Sequence, residues 1–357
     1  MLKSIYKKQP FLHIWDKGIK ILLKKLLPLR PIIRLMYKNL MLRKLLPVMA
    51  AAIISLIASA QTEPIKYGDF ESWTTRDVKE SGLIGGNIKT IYVVGPDRHI
   101  PKDSLAPYKY SENTIWTSSN VYAKVAGIIK ASNTVRPEPR GDNGTCCRLE
   151  TKIDGIKVLG LINVNVLVSG SIFFGQTLEP IKSSNDPYCN LDFGVPFNRK
   201  PKALVLDYKC IISQNNFVEK WPGIGHKTID GIQDQAEFWV YLQKRWEDPD
   251  GTIHALRIGT ARERLDHDVP EWQNGHRVEI HYGDISKTDY FKAYMALNGP
   301  YRAMNSKGKI VPIIEEGWGS ALDTPTHAIV MITSGNQGAF IGTPGNTLWV
   351  DNIQWEF

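Results

Sequence analysis

The feature that most restricts this chain is its hydrophobic period. In Ala236-Glu-Phe-Trp-Val-Tyr-Leu-Gln-Lys244 one face of an extended strand carries Ala236, Phe238, Val240 and Leu242. The other carries Glu237, Trp239, Tyr241 and Gln243, because successive side chains of a strand point to opposite faces. Alternating or β-branched runs recur at Lys89–Val94, Val121–Ile129, Cys146–Thr151, Val158–Phe174, Ala203–Ile212, Thr252–Ile258, Arg277–Tyr282, His327–Thr333 and Thr347–Phe357. Gly, Pro, Asn and Asp punctuate them. The single helical pattern is short, Asp289–Leu297. Such a chain is expected to be all-β: an antiparallel two-sheet β-sandwich with long loops and at most one or two short helices.

Residues 1–60 depart from this pattern, with twelve Lys or Arg against one acid, Asp16. Met41–Ala60 has a short basic start (Arg43, Lys44), an apolar run, and small residues Ala58 and Ala60 at the spacing a signal peptidase reads. This predicts a signal peptide over about 41–60 and a mature chain starting at Gln61. The apolar stretch Leu45–Ala60 is shorter than the roughly 20 residues that span a bilayer, so no stable membrane span is expected after cleavage. Residues 1–40 read either as the product of a start codon placed too far upstream or as a basic membrane-surface segment. No Cys lies near Gln61, so the expectation is a periplasmic or secreted protein and not a lipoprotein.

Removing the leader reverses the charge argument. The 44 basic residues less 12 leave 32, and the 36 acids less one leave 35, a net charge near −3 where the whole chain has +8. The whole-chain charge points toward nucleic acid or anionic lipid; the mature charge does not, and no nucleic-acid partner is expected. Residues 65–357 read as a single domain, without repeats or a clear linker. Cys146, Cys147, Cys189 and Cys210 allow up to two disulfides in an exported protein. Adjacent Cys146 and Cys147 face opposite sides of a strand, so one bridge, to Cys189 or Cys210, is expected. Gly95–Thr114 and Gln176–Pro201 exceed ordinary connection lengths, and Trp221–Gln233 is a third irregular region.

Both ends of the mature chain pair acids with aromatics: GDFESW at Gly68–Trp73 and LWVDNIQWEF at Leu348–Phe357. If the first and last strands lie side by side, Asp69, Glu71 and Asp351 come together, and hard oxygen ligands of this kind suit Ca²⁺. These segments resemble the opening and closing strands of β-jelly-roll modules that bind carbohydrate. That resemblance implies a structural calcium held by a Glu of the first strand and an Asp of the last. IWTSSN (Ile115–Asn120), DFGVPFNRKPKALVLDYK (Asp192–Lys209), DQAEFWVYL (Asp234–Leu242), RVEIHY (Arg277–Tyr282) and ITSGNQGAFIGTPGNTLWVDNIQWEF (Ile332–Phe357) occur in the order seen in the putative carbohydrate metabolism domain of glycan-foraging bacteria. The resemblance covers essentially the whole mature chain and implies a jelly roll with an oligo- or polysaccharide partner. The family's frequent immunoglobulin-like domain and lipoprotein Cys have no counterpart here, which favours a soluble role over surface anchoring.

Sugars present flat C–H faces and many hydroxyls, so a site needs an aromatic platform and a few oriented polar groups. Trp239 and Tyr241, beside Glu237 on the face away from Phe238 and Val240, are the first candidates. Trp221 with His226 is the second. Trp116 with Asn120 matches the family's W-S-N pattern and lines a pocket or forms a turn. Asp234 is a ligand contact, a calcium ligand or a turn cap. Trp349, Asp351 and Trp355, at even offsets, are expected on one face of the last strand. Asp234 and Glu237 are the acids weighed for glycoside hydrolysis, which uses two carboxylates flanking the scissile bond. Their spacing singles out no catalytic pair, so glycan binding is preferred to a glycan-active enzyme or an adhesion module. The G-x-S-x-G, P-loop and HExxH patterns are absent.

Overall fold

Two sheets face each other across one apolar core. The computed structural model describes residues 61–102, 114–125, 127–142, 144–158, 162–182 and 186–357. The leader reading of residues 1–60 lies outside them, as does most of the Gly95–Thr114 loop. Thr62–Phe357 form one compact unit.

The six-stranded sheet runs Val269–Glu279, Ala203–Ile211, Thr347–Glu356, Thr145–Glu150, Val135–Pro139, with Thr62–Pro64 added to the final strand. The ten-stranded sheet is built on Leu191–Phe193, Ser171–Thr177, His327–Thr333, Ala236–Glu247, Ile253–Leu265, Ile310–Trp318 and Arg302–Met304. Its pairings are antiparallel except that of Ile253–Leu265 with Ile310–Trp318, which is parallel. Leu149, Leu204, Leu206, Leu348 and Val350 from one sheet meet Phe174, Phe238, Val240, Leu242 and Val330 from the other. Each such side chain contributes about 1.5–3 kcal/mol by leaving water. The helical expectation at Asp289–Leu297 shrinks to one 3₁₀ turn, Ala293–Met295, since so short a helix is marginal without a packed apolar face.

The two ends of the unit do meet. Thr62 lies opposite Glu356 and Pro64 opposite Gln354. The Ile65 N–H then donates to the Ile353 carbonyl (3.0 Å), and the Ile353 N–H to that of Gly68 (2.9 Å). A Cβ on Gly68 would sit 2.9 Å from the Ile353 oxygen, so only glycine permits this approach. GDFESW is therefore the turn that leaves the sheet and not its opening strand. Phe70 is its buried anchor, with ring centroids 6.1 Å from Trp73 and 6.2 Å from Trp116.

The final strand does not keep its period. Leu348 and Val350 face the core, and so do Ile353 and Trp355. Asp207 lies opposite Asp351 while Val205 lies opposite Gln354, so one extra residue has been inserted, a β-bulge. Asn352 occupies it at φ +50°. Trp349 and Trp355, expected on one face, are thus on opposite faces: Trp355 is core, and Trp349 stays outside with Asp351.

The expected disulfide is absent. All four thiols are free, and Cys147 and Cys210 are both in the core. Cys147 flanks Val350 on one side of the final strand and Cys210 flanks Leu348 on the other. Two strand spacings, about 9.6 Å, exceed the reach of roughly 7 Å between Cα atoms that a bridge allows.

Asn352→Gly keeps the left-handed backbone and loses only the side-chain hydrogen bond to Asp207, a cost of about 0.5–1.5 kcal/mol. Asn352→Val should lose a further 1–2 kcal/mol or so through strain at positive φ. Urea unfolding of both variants checks this; equal midpoints would remove the bulge strain from the account.

Candidate functional site

The second face of the ten-stranded sheet is also covered, which the alternation alone does not reveal. Phe173, Phe193, Trp239, Tyr241, Ile253, Tyr301 and Ile329 form a second apolar cluster there. Within it lies a set of paired charges. The Arg257 side chain is buried, its Nε donating to Glu315 (2.6 Å) and its Nη2 to both the Glu315 carboxylate and the Tyr301 hydroxyl. Tyr301 donates to Glu315 Oε2 at 2.6 Å, and Gln243 Nε2 to Oε1 at 2.7 Å. Burial works to raise the Glu315 carboxyl, and Arg257 more than offsets it, holding the pKa below the usual glutamate value.

Toward the other end of the strands, the cross-strand partner of Trp239 is Arg262 and that of Glu237 is Arg264. Glu237 Oε1 accepts from Arg262 Nε and Arg264 Nε, both at 2.7 Å, and Oε2 from Arg262 Nη2 at 2.9 Å. The Arg262 guanidinium lies 5.4 Å from the Trp239 ring and 5.2 Å from that of Tyr294. Arg264 lies over the other end of this group, 3.8 Å from the Tyr294 ring. On the far side Trp239 neighbours Met331, and Met331 neighbours Phe173. Trp239 is itself buried, at 9% exposure, and the row reaches solvent only at its rim, where Arg262, Arg264, Tyr294 and Met331 are half-buried. An indole, a tyrosine and two guanidinium groups fixed by one carboxylate form a platform with directed donors.

A family model described as the putative carbohydrate metabolism domain matches residues 97–355. The chain belongs to that family. Among solved structures, a putative glycoside hydrolase from Bacteroides thetaiotaomicron is similar over 80% of this chain and 71% of its own, at 16% identity and a TM-score of 0.41. One from Bacteroides vulgatus is similar over 82% and 94%, at 14% identity and a TM-score of 0.43. No protein of curated function matches. The family description gives this domain a carbohydrate-related role.

Several residues singled out by sequence have other work in this carbohydrate metabolism domain. Tyr241 is 1% exposed and carries Arg257 on its ring at 3.6 Å, so it supports the site from beneath. Trp116 is fully buried, edge-on to Phe174 at 4.7 Å, and cannot touch a ligand. Asn120 is buried too: its amide donates to the carbonyls of Tyr92 and Val135, and its oxygen accepts from the N–H groups of Thr134 and Val135. The W-S-N pattern is therefore a brace between segments. Trp221 and His226 do reach the surface, but they stack on each other at 4.1 Å, with Trp221 Nε1 donating to Glu219, so one indole face is already taken.

Asp234 and Glu237 do not act on a common point. Asp234 accepts from the N–H groups of Asn336 (3.0 Å) and Thr343 (2.8 Å) and so holds the Gly335–Asn346 loop; burial pushes its carboxyl up to about 6. The three acids expected to hold calcium also have separate fates. Asp69 and Glu71 are exposed, and Glu71 accepts from the Thr145 N–H at 2.8 Å. Asp351 binds Arg140 at 2.6 Å, and Arg140 also binds Asp207 at 2.8 Å. Arg140 thus occupies Asp351 together with Asp207, a carboxylate outside the expected set, and the three expected acids form no common cluster. Among the described residues no group of three His, Cys, Asp or Glu is placed to hold a metal, and no helix is long and apolar enough to cross a membrane. The residues the alternation missed are Arg262, Arg264 and Tyr294. The run Ala-Arg-Glu-Arg-Leu265 offered a signal, two arginines two apart and hence on one face.

Glu315→Gln should cost about 3–5 kcal/mol, since it leaves Arg257 buried without its countercharge. Because the folded-state pKa of Glu315 is depressed, its contribution is present above the ordinary glutamate value of about 4.3 and is lost as pH falls through the folded value. The gap in thermal midpoint between wild type and variant is therefore expected to close on acidification. A gap that stays constant from neutral pH to pH ~3 would contradict the ionised pair.

Proposed function

We propose that this protein is an exported glycan-binding protein of a bacterial carbohydrate-utilisation system, and that it holds its saccharide on the Trp239–Arg262 row. The observation that carries the reading is that row itself. Trp239 and Arg262 are in register on two neighbouring strands and Tyr294 of the covering turn lies against the same guanidinium, with Glu237 fixing its orientation. A sugar ring gains dispersion against the aromatic edges at the rim, and its polar groups meet the terminal amino groups of Arg264, whose Nε alone is used by Glu237. Export is supported by the signal-peptide-like composition of Met41–Ala60.

Hydrolysis is the second reading, favoured by the names of the two structural neighbours. The protonation states count against it. A general acid must hold a proton near neutral pH and reach the glycosidic oxygen. Glu315 is held ionised by Arg257; Asp234, whose pKa is raised, is enclosed by backbone amides at 1% exposure.

Electrophoresis through gels carrying xylan, galactan, β-glucan or polygalacturonate tests the proposal. Wild type is expected to be retarded by at least one of them, and Trp239→Ala to weaken that binding about tenfold or more, roughly 1.4 kcal/mol. Trp239→Phe, which keeps the apolar cluster filled, should fall between. Unchanged retention in both variants, or reducing ends released by wild type and not by Glu237→Gln, would displace this reading.

A further inference from the structure

We infer that the glycan is acidic, and that Arg264 binds its carboxylate or sulfate group. This deepens the proposed function and rests on the glycan-binding reading of the Trp239 row. Two arginines share one acid, Glu237, and use it unequally. Arg262 is spent inside the protein: Nε and Nη2 go to Glu237, and Nη1 to the Tyr241 hydroxyl (3.0 Å) and the Tyr294 carbonyl. Arg264 gives Glu237 only its Nε, at 2.7 Å. Its two terminal amino groups have no protein partner among the described residues.

That orientation has a consequence. An arginine that served only to neutralise Glu237 would turn its fork toward the carboxylate, as Arg262 does. Arg264 instead turns its fork away, with the guanidinium held by Glu237 on one edge and by the Tyr294 ring on one face. The side chain keeps 23% of its surface exposed. Two guanidinium groups against one carboxylate leave one positive charge uncompensated. Along the sheet the row continues from Glu237 to Thr333 and Ser171, neither of them acidic, and Glu263 turns its carboxylate to His276 on the opposite face, at 3.0 Å. A fixed guanidinium fork with two free donors matches an oxyanion in bidentate geometry, and it stands beside the aromatic platform that would hold the sugar ring.

Affinity electrophoresis with four probes tests this: polygalacturonate, its fully methyl-esterified form, carrageenan and galactan. The first and third carry carboxylate and sulfate respectively; the other two are neutral. Wild type is expected to bind polygalacturonate or carrageenan at least tenfold tighter than the neutral probes, and the acidic probe that is preferred identifies the oxyanion. Arg264→Gln should abolish the preference, so that the acidic probes bind no tighter than the neutral ones. Arg264→Lys, which keeps the charge but not the fork, and Tyr294→Leu, which removes the stacking face, should each lose most of the preference; they serve also if Arg264→Gln fails to fold. Equal binding of polygalacturonate and its ester, with carrageenan no tighter than galactan, overturns the acidic assignment and leaves glycan binding intact. So does a preference that survives all three variants. Binding to none of the four probes, nor to xylan or β-glucan, overturns both.

Discussion

A charge on a covered sheet face must be paired where it stands, and much of this molecule follows from that requirement. The ten-stranded sheet is packed on both sides, so Glu237, Arg257, Arg262 and Glu315 cannot be solvated as surface groups are, and an unpaired ion there would cost several kcal/mol. Each therefore takes its partner from the neighbouring strand. Arg257 and Glu315 tie Ile253–Leu265 to Ile310–Trp318; Arg262 and Arg264 tie the same strand to Ala236–Glu247 through Glu237. The remaining guanidinium donors then fix the covering segment, because Arg257 donates to the Met295 carbonyl and Arg262 to that of Tyr294. Asn298 closes the arrangement by donating its N–H to Glu315 at 2.9 Å. The loop over this face is placed by the hydrogen-bond demands of the charges beneath it as much as by apolar burial.

The six-stranded sheet meets the same requirement with a different device. Arg140 lies between Asp207 and Asp351, one cation for two carboxylates. For Asp207, burial opposes ionisation, but hydrogen bonds from Asn352, Gly275 and Arg140 together hold its pKa low. For Asp351 burial prevails and the pKa is raised. Asp207 accepts both the Gly275 N–H at 2.7 Å and the Asn352 amide at 2.8 Å, so one side chain holds the irregular backbone on either side of its strand. Of the acids that suggested calcium, Asp351 is thus paired with the protein's own cation.

The period of two was legible and gave the architecture. In Ala236–Leu242 it assigned every side chain to its correct face, because the neighbouring strands keep step with that segment. It failed wherever one residue was inserted. Asn352 turns Trp355 into the core, and Ile258 does the same to the opposite strand: Leu242 lies opposite Gly259 and Gln243 opposite Arg257, leaving Ile258 extra. Ala255 and Arg257 therefore share a face with Thr260, Arg262 and Arg264. A bulge leaves almost no mark on composition, since it depends on one backbone conformation. The second limit was occupancy. Alternation says which side Trp239 and Tyr241 take; it cannot say that Phe193 and Tyr301, distant in sequence, will cover that side. Trp116 and Asn120 misled for a related reason: aromatic and amide groups recognise sugars and brace protein interiors by the same interactions, and only burial separates the two uses.

On the proposed glycan-binding reading, the electrostatics of the Trp239 row suit recognition. Its arginines are ionised at any physiological pH, and the nearby buried carboxylate Glu315 is locked ionised, so these groups keep their charge while a ligand arrives or leaves. A site of this kind offers fixed donors and a standing field, which suits binding, whereas acid–base chemistry needs a group able to exchange its proton near neutrality. The field is also short in range. Residues 61–357 carry 32 basic and 35 acidic side chains, so an acidic polymer is not drawn in from a distance. Its hold would depend on contacts made within the row, since charges further off than a Debye length of about 8 Å are largely screened. Discrimination would then lie in dissociation, where the geometry of the Arg264 fork and the aromatic groups beside it act directly on the bound sugar.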